Sequence, residues 1–304
     1  MKRIVWGLQT AVFYLFTMSL AIIPERSVLI AGRQIGNFLY RLMANRRRIA
    51  IDNIRQALPF MMRHQAFSSS LEFPEDIARE TFIHLGISIV EVSQLYHGKG
   101  DRIISGIEIR GRENFNSARA KHKGLIFVGG HCGNWELMSL SFKRLFGEEG
   151  WGIARHQNNP YLNSVVERMR TIYGTKLIYS KSSLRQILGV IKKDGVIGML
   201  ADQAVFPENG AHIEMLGRKA WANKAPVIIA HKTGVPLVPI FMHREENRNI
   251  LTIHPEYELC GDMSENGILR DIQALSRYLE DFICAHPADW YWVHRRWKRA
   301  GEPV

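Results

Sequence analysis

Apolar positions change their period along this chain, and each change predicts a different kind of element. Residues 4–23, IVWGLQTAVFYLFTMSLAII, carry no charged side chain. A helix of that length roughly matches a ~30 Å hydrocarbon layer. Lys2 and Arg3 precede the run, and Pro24, Glu25 and Arg26 close it. Val28, Leu29, Gly32, Ile35, Phe38, Leu39, Leu42 and Met43 then recur at three- and four-residue spacing, which predicts an amphipathic helix.

From residue 74 the pattern alternates between helical and extended periods. Pro74 with acids behind it opens a long helix through EDIARETFIHLGISIVEVSQLYHG. Strands are predicted at 105–110, 124–128, 151–155, 175–179, 196–201, 237–243 and 251–258. Helices are predicted at 134–146, 160–173 (capped by Asn159), 183–193, 222–233 and 269–285. Such alternation predicts an α/β domain around a mixed, mainly parallel sheet flanked by helices. No repeat, low-complexity tract or clear linker interrupts it.

Composition narrows the partners. The 304 residues hold 40 Lys+Arg against 29 Asp+Glu, a formal charge of +11. Hydrophobic residues make up 46%, with 25 glycines and 11 prolines, which excludes disorder and collagen-like sequence. Cys132, Cys260 and Cys284 form neither a disulfide framework nor a C-x-x-C zinc motif, and a reducing compartment fits best. The charge points to an anionic partner, either nucleic acid or an acidic membrane surface.

The first segment favours the membrane. It has three readings: a cleaved signal peptide, with Ser19-Leu20-Ala21 as a small-x-small site; a buried core helix, given Gln9, Thr10, Thr17 and Ser19; or an uncleaved anchor. The anchor is preferred because Arg26, Arg33, Arg41, Arg46, Arg47 and Arg48 follow among the amphipathic positions, where arginine heads meet lipid phosphate. A core helix with a solvated basic edge is the plainer alternative. Lys2 and Arg3 compete with these arginines in setting orientation, and the larger downstream cluster favours a cytoplasmic main domain. The expected organisation is an anchor at 1–25, a basic amphipathic surface segment at 26–60, and a catalytic domain at 61–304.

Candidate chemistry concentrates at 124–136, GLIFVGGHCGNWE. A buried strand ends at Gly129-Gly130 and His131 sits on the turn, where open α/β sheets place their sites. Glu136 follows five positions later. On one continuous helix the two would lie about 140° apart, but a turn at His131 lets the carboxylate reach the imidazole. That contact would fix the tautomer and raise the basicity of a general base. The plainer reading is a capping histidine with a glutamate favoured by the helix dipole. There is no G-x-S-x-G elbow, H-E-x-x-H, P-loop or G-x-G-x-x-G. Cys132 beside His131 makes a poor dyad, since adjacent side chains diverge. A base without an enzymic nucleophile implies that a substrate hydroxyl attacks.

The block GGHCGNWE resembles the H-x4-D/E motif of glycerolipid-type acyltransferases, in the form typical of bacterial lipid A late acyltransferases, the lauroyl/myristoyl transferase family. Arg155 with Asn158-Asn159-Pro160, Asp202-Gln203, Ala225-Pro226, Thr233 to Pro239, and HPADWYWVHRRWK at 286–298 agree in order. The resemblance implies acyl transfer from acyl carrier protein or acyl-CoA to a hydroxyl of a lipid A precursor, at the bacterial inner membrane with the catalytic domain cytoplasmic. It implies His131 as base and Glu136 as its orienting partner. Arg155 would face an oxyanion or an acceptor phosphate, with Asn134 and Asp202 supporting substrate binding. Neither metal nor cofactor is expected beyond the acyl donor, and nucleic acid is not. Related transferases acting on a phosphatidylinositol mannoside or a lysophospholipid are the nearest alternative. A non-catalytic membrane-surface protein is the rival from another class. Met215-Leu216-Gly217 and Trp221 depart from the family pattern and are expected to reshape the acyl or lipid pocket.

Overall fold

The computed structural model describes residues 2–67, 71–179 and 183–301. The chain opens with four helices: α1 (Lys2–Ala21), α2 (Glu25–Leu42), α3 (Ala44–Met61) and α4 (Pro74–Tyr96). A short α5 (Asp101–Ser105), β1 (Glu108–Arg110) and α6 (Arg112–Arg119) lead into the alternating region. There β2 (Leu125–Gly129), α7 (Trp135–Phe146), β3 (Gly150–Ala154), α8 (Pro160–Thr171), β4 (Lys176–Tyr179), α9 (Ser183–Lys192) and β5 (Val196–Leu200) follow in turn. The hairpin β6 (Gly210–Met215) and β7 (Arg218–Asn223) comes next. Then come α10 (Ala225–Thr233), β8 (Leu237–Glu245), β9 (Arg248–Ile253) and α11 (Glu265–Ala285).

Seven strands form one sheet in the order β1-β9-β8-β2-β5-β3-β4. Neighbours are parallel except β8 and β9. This is the mixed, mainly parallel α/β architecture that the alternation predicts. Side chains along β2 and β5 alternate between two cores, as a pleated strand requires. Leu125, Phe127 and Val196 join Phe115, Leu137 and Phe142 on the α7 side, while Ile126 and Ile197 join Ile54, Val227 and Ile283 on the other.

Four expectations change. Residues 218–223 pair as a strand, so the predicted helix at 222–233 begins only at Ala225. The hairpin turns on Leu216 and Gly217, at φ +51° and +73°, the conformation of a two-residue loop matched to strand twist. The strand expected at 105–110 is shortened by α5, and the one at 251–258 ends at Ile253.

The fourth change concerns 26–60, which packs against α4 and the C-terminal run rather than lying apart as a surface segment. The apolar stripe of α2 meets α4 at Gly32 and Gly36, whose missing Cβ atoms would sit 2.5 and 2.4 Å from α4 backbone. Gly86 answers from α4, where a Cβ would lie 2.2 Å from the Gly32 carbonyl. Ala50, Ile54, Ala57 and Met61 of α3 are fully buried. Asn53 Nδ2 donates to the carbonyls of Trp292 and His294, each at 2.9 Å. The stripe's outer members, Phe38 and Leu42, stay exposed beside Ile30.

Helix α1 differs from these. Only Thr17, Leu20 and Ala21 are buried, while Ile4, Leu8, Val12 and Leu15 are exposed. It is long and apolar enough to cross a membrane. Asn159 Nδ2 donates to the Trp6 carbonyl at 2.9 Å, and Thr17 Oγ1 lies 2.9 Å from His97 Nε2. These contacts hold one polar edge of α1 against the rest.

The helix crossing gives a direct expectation. Gly86→Ala destabilises the protein by about 1–3 kcal/mol through forced backbone separation. Gly189→Ala, where a Cβ meets nothing within 4 Å, is neutral or stabilising by up to about 1 kcal/mol. Thermal unfolding of the two variants in detergent checks the contrast, and equal melting temperatures would contradict it.

Candidate active site

Adjacent parallel strands bring the central residues together. In the β2–β5 register Gly129 stands opposite Leu200, and Ala201 N donates to the Gly129 carbonyl at 2.9 Å. Two residues past each of these lie His131 and Asp202. The Asp202 carboxylate receives His131 Nδ1 at 2.7 Å on one oxygen. Its other oxygen accepts the His131 backbone N–H and the Trp290 indole N–H, both at 2.9 Å. Asp202 is buried, and burial opposes its ionisation. The hydrogen bonds from His131 and Trp290 nevertheless hold its carboxyl below the usual range.

A carboxylate only accepts, so Nδ1 carries a proton, and in the neutral imidazole Nε2 is then the acceptor. Gln203 Nε2 lies 3.2 Å from that nitrogen. Trp135 stands edge-on to the ring at 5.2 Å between centroids, with Tyr291 at 6.1 Å. The turn carrying His131 is pinned by Gly133, whose N–H donates to the Asp289 carbonyl at 2.6 Å. Gly133 has φ +53°, and a Cβ there would lie only 2.4 Å from the Met242 carbonyl oxygen, so no side chain fits.

The expected contact between Glu136 and His131 does not form. Glu136 lies in the first turn of α7, but Arg170 of α8 takes its carboxylate, with Arg170 Nε 3.2 Å from Oε2 and a second, shorter contact through Nη2 to Oε1. The Nδ1 position is already filled by Asp202, so Glu136 is not the carboxylate orienting this ring. Partial burial works against the Arg170 charge, but Glu136 beside it holds the guanidinium protonated more firmly than usual. The Tyr96 phenol is pushed up by its own burial and by Glu136.

The other predicted residues separate by environment. Asn134 is buried as the cap of α7, accepting from Leu137 N at 3.0 Å and donating to Glu91 Oε2 at 2.8 Å. It supports the helix and does not line the cavity. Glu91 in turn receives Arg244 at 2.7 Å. Asp202 works on His131 rather than facing substrate. Arg155 is exposed on the cavity wall, without an ion-pair partner among the described residues. The Cys132 thiol is fully buried, and burial with the charges of Asp202 and Asp289 pushes it well up, so it stays protonated.

His131, Glu136, Arg155 and Arg170 share one cavity of about 600 Å3, a size typical of small-molecule sites. Behind this polar group its wall is apolar, including Phe127, Phe142, Ile187, Val196 and Ile240. Gly150, Gly152 and Gly198 leave the strand surface bare inside it. Met215, Leu216, Gly217 and Trp221 are not among the residues that line this cavity. Sequence reasoning missed Arg170 and Trp290 as site residues. Trp290 stood in the closing block; Arg170 had no motif of its own.

A buried carboxylate–imidazole pair at the carboxyl end of a mainly parallel sheet, opening on a largely apolar cavity, is the arrangement of a positioned base in an α/β enzyme. Comparison with known proteins makes the class specific. Residues 4–299 match the family model for bacterial lipid A biosynthesis acyltransferase, and the chain belongs to that family. It is an acyltransferase, and its chemistry is acyl transfer to lipid.

A lipid A biosynthesis lauroyltransferase of Escherichia coli is 22% identical over 90% of this chain and 86% of its own length. A lipid A biosynthesis palmitoleoyltransferase of the same organism is 23% identical, over 91% and 86%. A phosphatidylinositol mannoside acyltransferase of Mycobacterium tuberculosis is 21% identical, over 65% and 60%. Among solved structures, a 1-acyl-sn-glycerophosphate acyltransferase from Thermotoga maritima matches 77% of this chain and 98% of its own, at 16% identity and a TM-score of 0.37.

The dyad predicts that Asp202→Asn lowers kcat/KM by at least about 10²-fold, because an amide no longer fixes the Nδ1–H tautomer. Steady-state kinetics with the thermal stability measured alongside checks this. A fully active Asp202→Asn variant would contradict it.

Proposed function

We propose that this enzyme transfers a fatty acyl chain from a thioester donor to a hydroxyl of a lipid A precursor, with His131 as general base. One observation carries the reading: the Asp202-bound imidazole turns Nε2, beside the Gln203 amide, to a largely apolar cavity of about 600 Å3. The acceptor oxygen attacks the thioester carbonyl as its proton passes to Nε2, giving a tetrahedral oxyanion. The C–S bond then breaks, and the same proton goes from the imidazolium to the leaving thiolate. The ester forms without an acyl-enzyme, and Asp202 stabilises the transient imidazolium.

Arg155, with no ion-pair partner among the described residues, is suited to the developing oxyanion or to an acceptor phosphate. The Glu136–Arg170 pair sits on the same wall, where it fixes a second guanidinium at the polar end of the cavity. The apolar interior takes the acyl chain. Acyl carrier protein or coenzyme A supplies the thioester; both are anionic and suit a chain of net charge +11.

The proposed location is the cytoplasmic face of the bacterial inner membrane. The exposed apolar face of α1 and the exposed Arg41 and Arg48 beyond it support this placement. A membrane-surface protein without activity is disfavoured by family membership and by the intact dyad.

Two measurements test the proposal. Membranes carrying the protein, given acyl-acyl carrier protein or acyl-CoA, are expected to add one acyl mass to a tetra-acyl lipid A precursor, with His131→Ala reduced at least about 10²-fold. Acylation of lysophospholipid or phosphatidylinositol mannoside, but never of the lipid A precursor, would overturn the acceptor assignment. Gly198→Leu places a branched side chain in the cavity and is expected to shift the preferred donor to a shorter chain. Competition between donors of different length, read by mass spectrometry, checks it. An unchanged preference would sink the assignment of this cavity to the acyl chain.

A further inference from the structure

The cysteines make no zinc motif along the sequence, yet the fold assembles a mixed donor set around one of them, away from the dyad. His231 comes from the last turn of α10, Asp271 from α11, and Cys260 from the connection between β9 and α11. One ligand atom from each residue lies within 4.8 Å of the other two. His231 Nε2 is 2.7 Å from Asp271 Oδ2, and Cys260 Sγ is 3.4 Å from the same oxygen. None of the three lines the active-site cavity.

The two carboxylate oxygens of Asp271 are held differently. Oδ1 accepts the Tyr257 hydroxyl at 2.8 Å and the Cys260 backbone N–H at 3.0 Å. Oδ2 faces the imidazole and the thiol. Outer donors on one oxygen, with nitrogen and sulfur converging on the other, orient a carboxylate as metal sites do. Asp271 is fully buried, and burial opposes its ionisation. Hydrogen bonds from Tyr257, His231 and Cys260 nevertheless hold its carboxyl below the usual range. Burial and Asp271 push the Tyr257 phenol up, so it stays a protonated donor and not an anionic ligand. The partners of this buried carboxylate are a phenol, a backbone amide, a thiol and an imidazole. No permanent cation is among them, and a divalent ion supplies one.

We propose that His231, Cys260 and Asp271 form a zinc site that fastens the 254–264 connection to α10 and α11. Thiolate, imidazole and carboxylate together suit Zn2+. Tetrahedral bonds of ordinary length set such donors about 3.3–3.6 Å apart. Sγ and Oδ2 already stand at 3.4 Å, so only the His231–Asp271 pair has to open. Binding releases the Cys260 thiol proton and leaves the His231 proton on Nδ1, since Nε2 must be bare to ligate. Water takes the fourth position, reached from the exposed side of Cys260. Helix α10 also lends Ala225 and Ile229 to the wall of the large cavity. The site therefore steadies that wall and takes no part in proton transfer.

The test uses full-length protein in detergent, stripped with a chelator and then dialysed against zinc. Metal analysis is expected to find one zinc per chain. Cys260→Ser changes a single atom at an exposed position. It and His231→Gln are expected to lose at least about 10²-fold in zinc affinity, and Tyr257→Phe about 10-fold by freeing the outer Asp271 oxygen. Cobalt in place of zinc should give tetrahedral ligand-field bands and a thiolate charge-transfer band, the latter absent in Cys260→Ser. Zinc should raise the melting temperature of the wild type but not of Cys260→Ser. Alkylation of the wild-type chain needs no variant. Cys260 is exposed while Cys132 and Cys284 are buried, and zinc is expected to slow modification of Cys260 at least about tenfold. Zinc held equally by Cys260→Ser, or alkylation that zinc does not slow, would overturn the proposal and leave the three residues a hydrogen-bonded cluster only. These readouts need no turnover, so they stand apart from the test of acyl transfer.

Discussion

The site depends on one constraint, the parallel pairing of β2 with β5. The register sets Gly129 level with Leu200, and the next two residues of each strand deliver His131 and Asp202 to the same point. Ladder hydrogen bonds fix this placement, so a long, entropically costly side chain is not needed to bridge the gap. A slip of one residue would turn Asp202 to the other face of the sheet. The dyad is therefore as rigid as the core beneath it. That rigidity is what a base requires if its acceptor nitrogen is to face a cavity and not bulk solvent.

The C-terminal segment closes the arrangement from outside the sheet. Trp290 donates to the same Asp202 oxygen that holds the His131 backbone, and Tyr291 N donates to the His131 carbonyl at 3.1 Å. His84 of α4 lies 2.9 Å from Asp289, and Asn53 of α3 holds the carbonyls of Trp292 and His294. The tryptophan-rich run is thus a packed brace. Trp290 and Trp292 are buried, which excludes these two from an aromatic belt facing lipid. The N-terminal helices α3 and α4 meet the site through this brace, which is why the segment at 26–60 belongs to the fold.

Much of this was legible in the sequence. Periodicity located β2, α4, α7 and α8, and the cap at Asn159 marked the start of α8 as the structure has it. His131 was readable because a buried strand, two glycines and a histidine form a local signal. Its carboxylate partner was not, because Asp202 is distant in sequence and meets His131 only through strand register. Spacing favoured Glu136, yet spacing cannot count competitors: Arg170 takes that carboxylate while Asp202 fills Nδ1. The β6–β7 hairpin escaped notice for a related reason. Its turn places Leu216 at positive φ, where asparagine or glycine would have announced it.

The central claim is that Asp202 holds the Nδ1–H of His131, so that Nε2 faces the cavity beside Gln203. Long-range 1H–15N correlation spectra of the imidazole side chains, with His131 assigned by substitution, read that tautomer directly. For the neutral ring, the account predicts a His131 proton on Nδ1 and an unprotonated Nε2. A proton on Nε2, with Nδ1 bare, would contradict it.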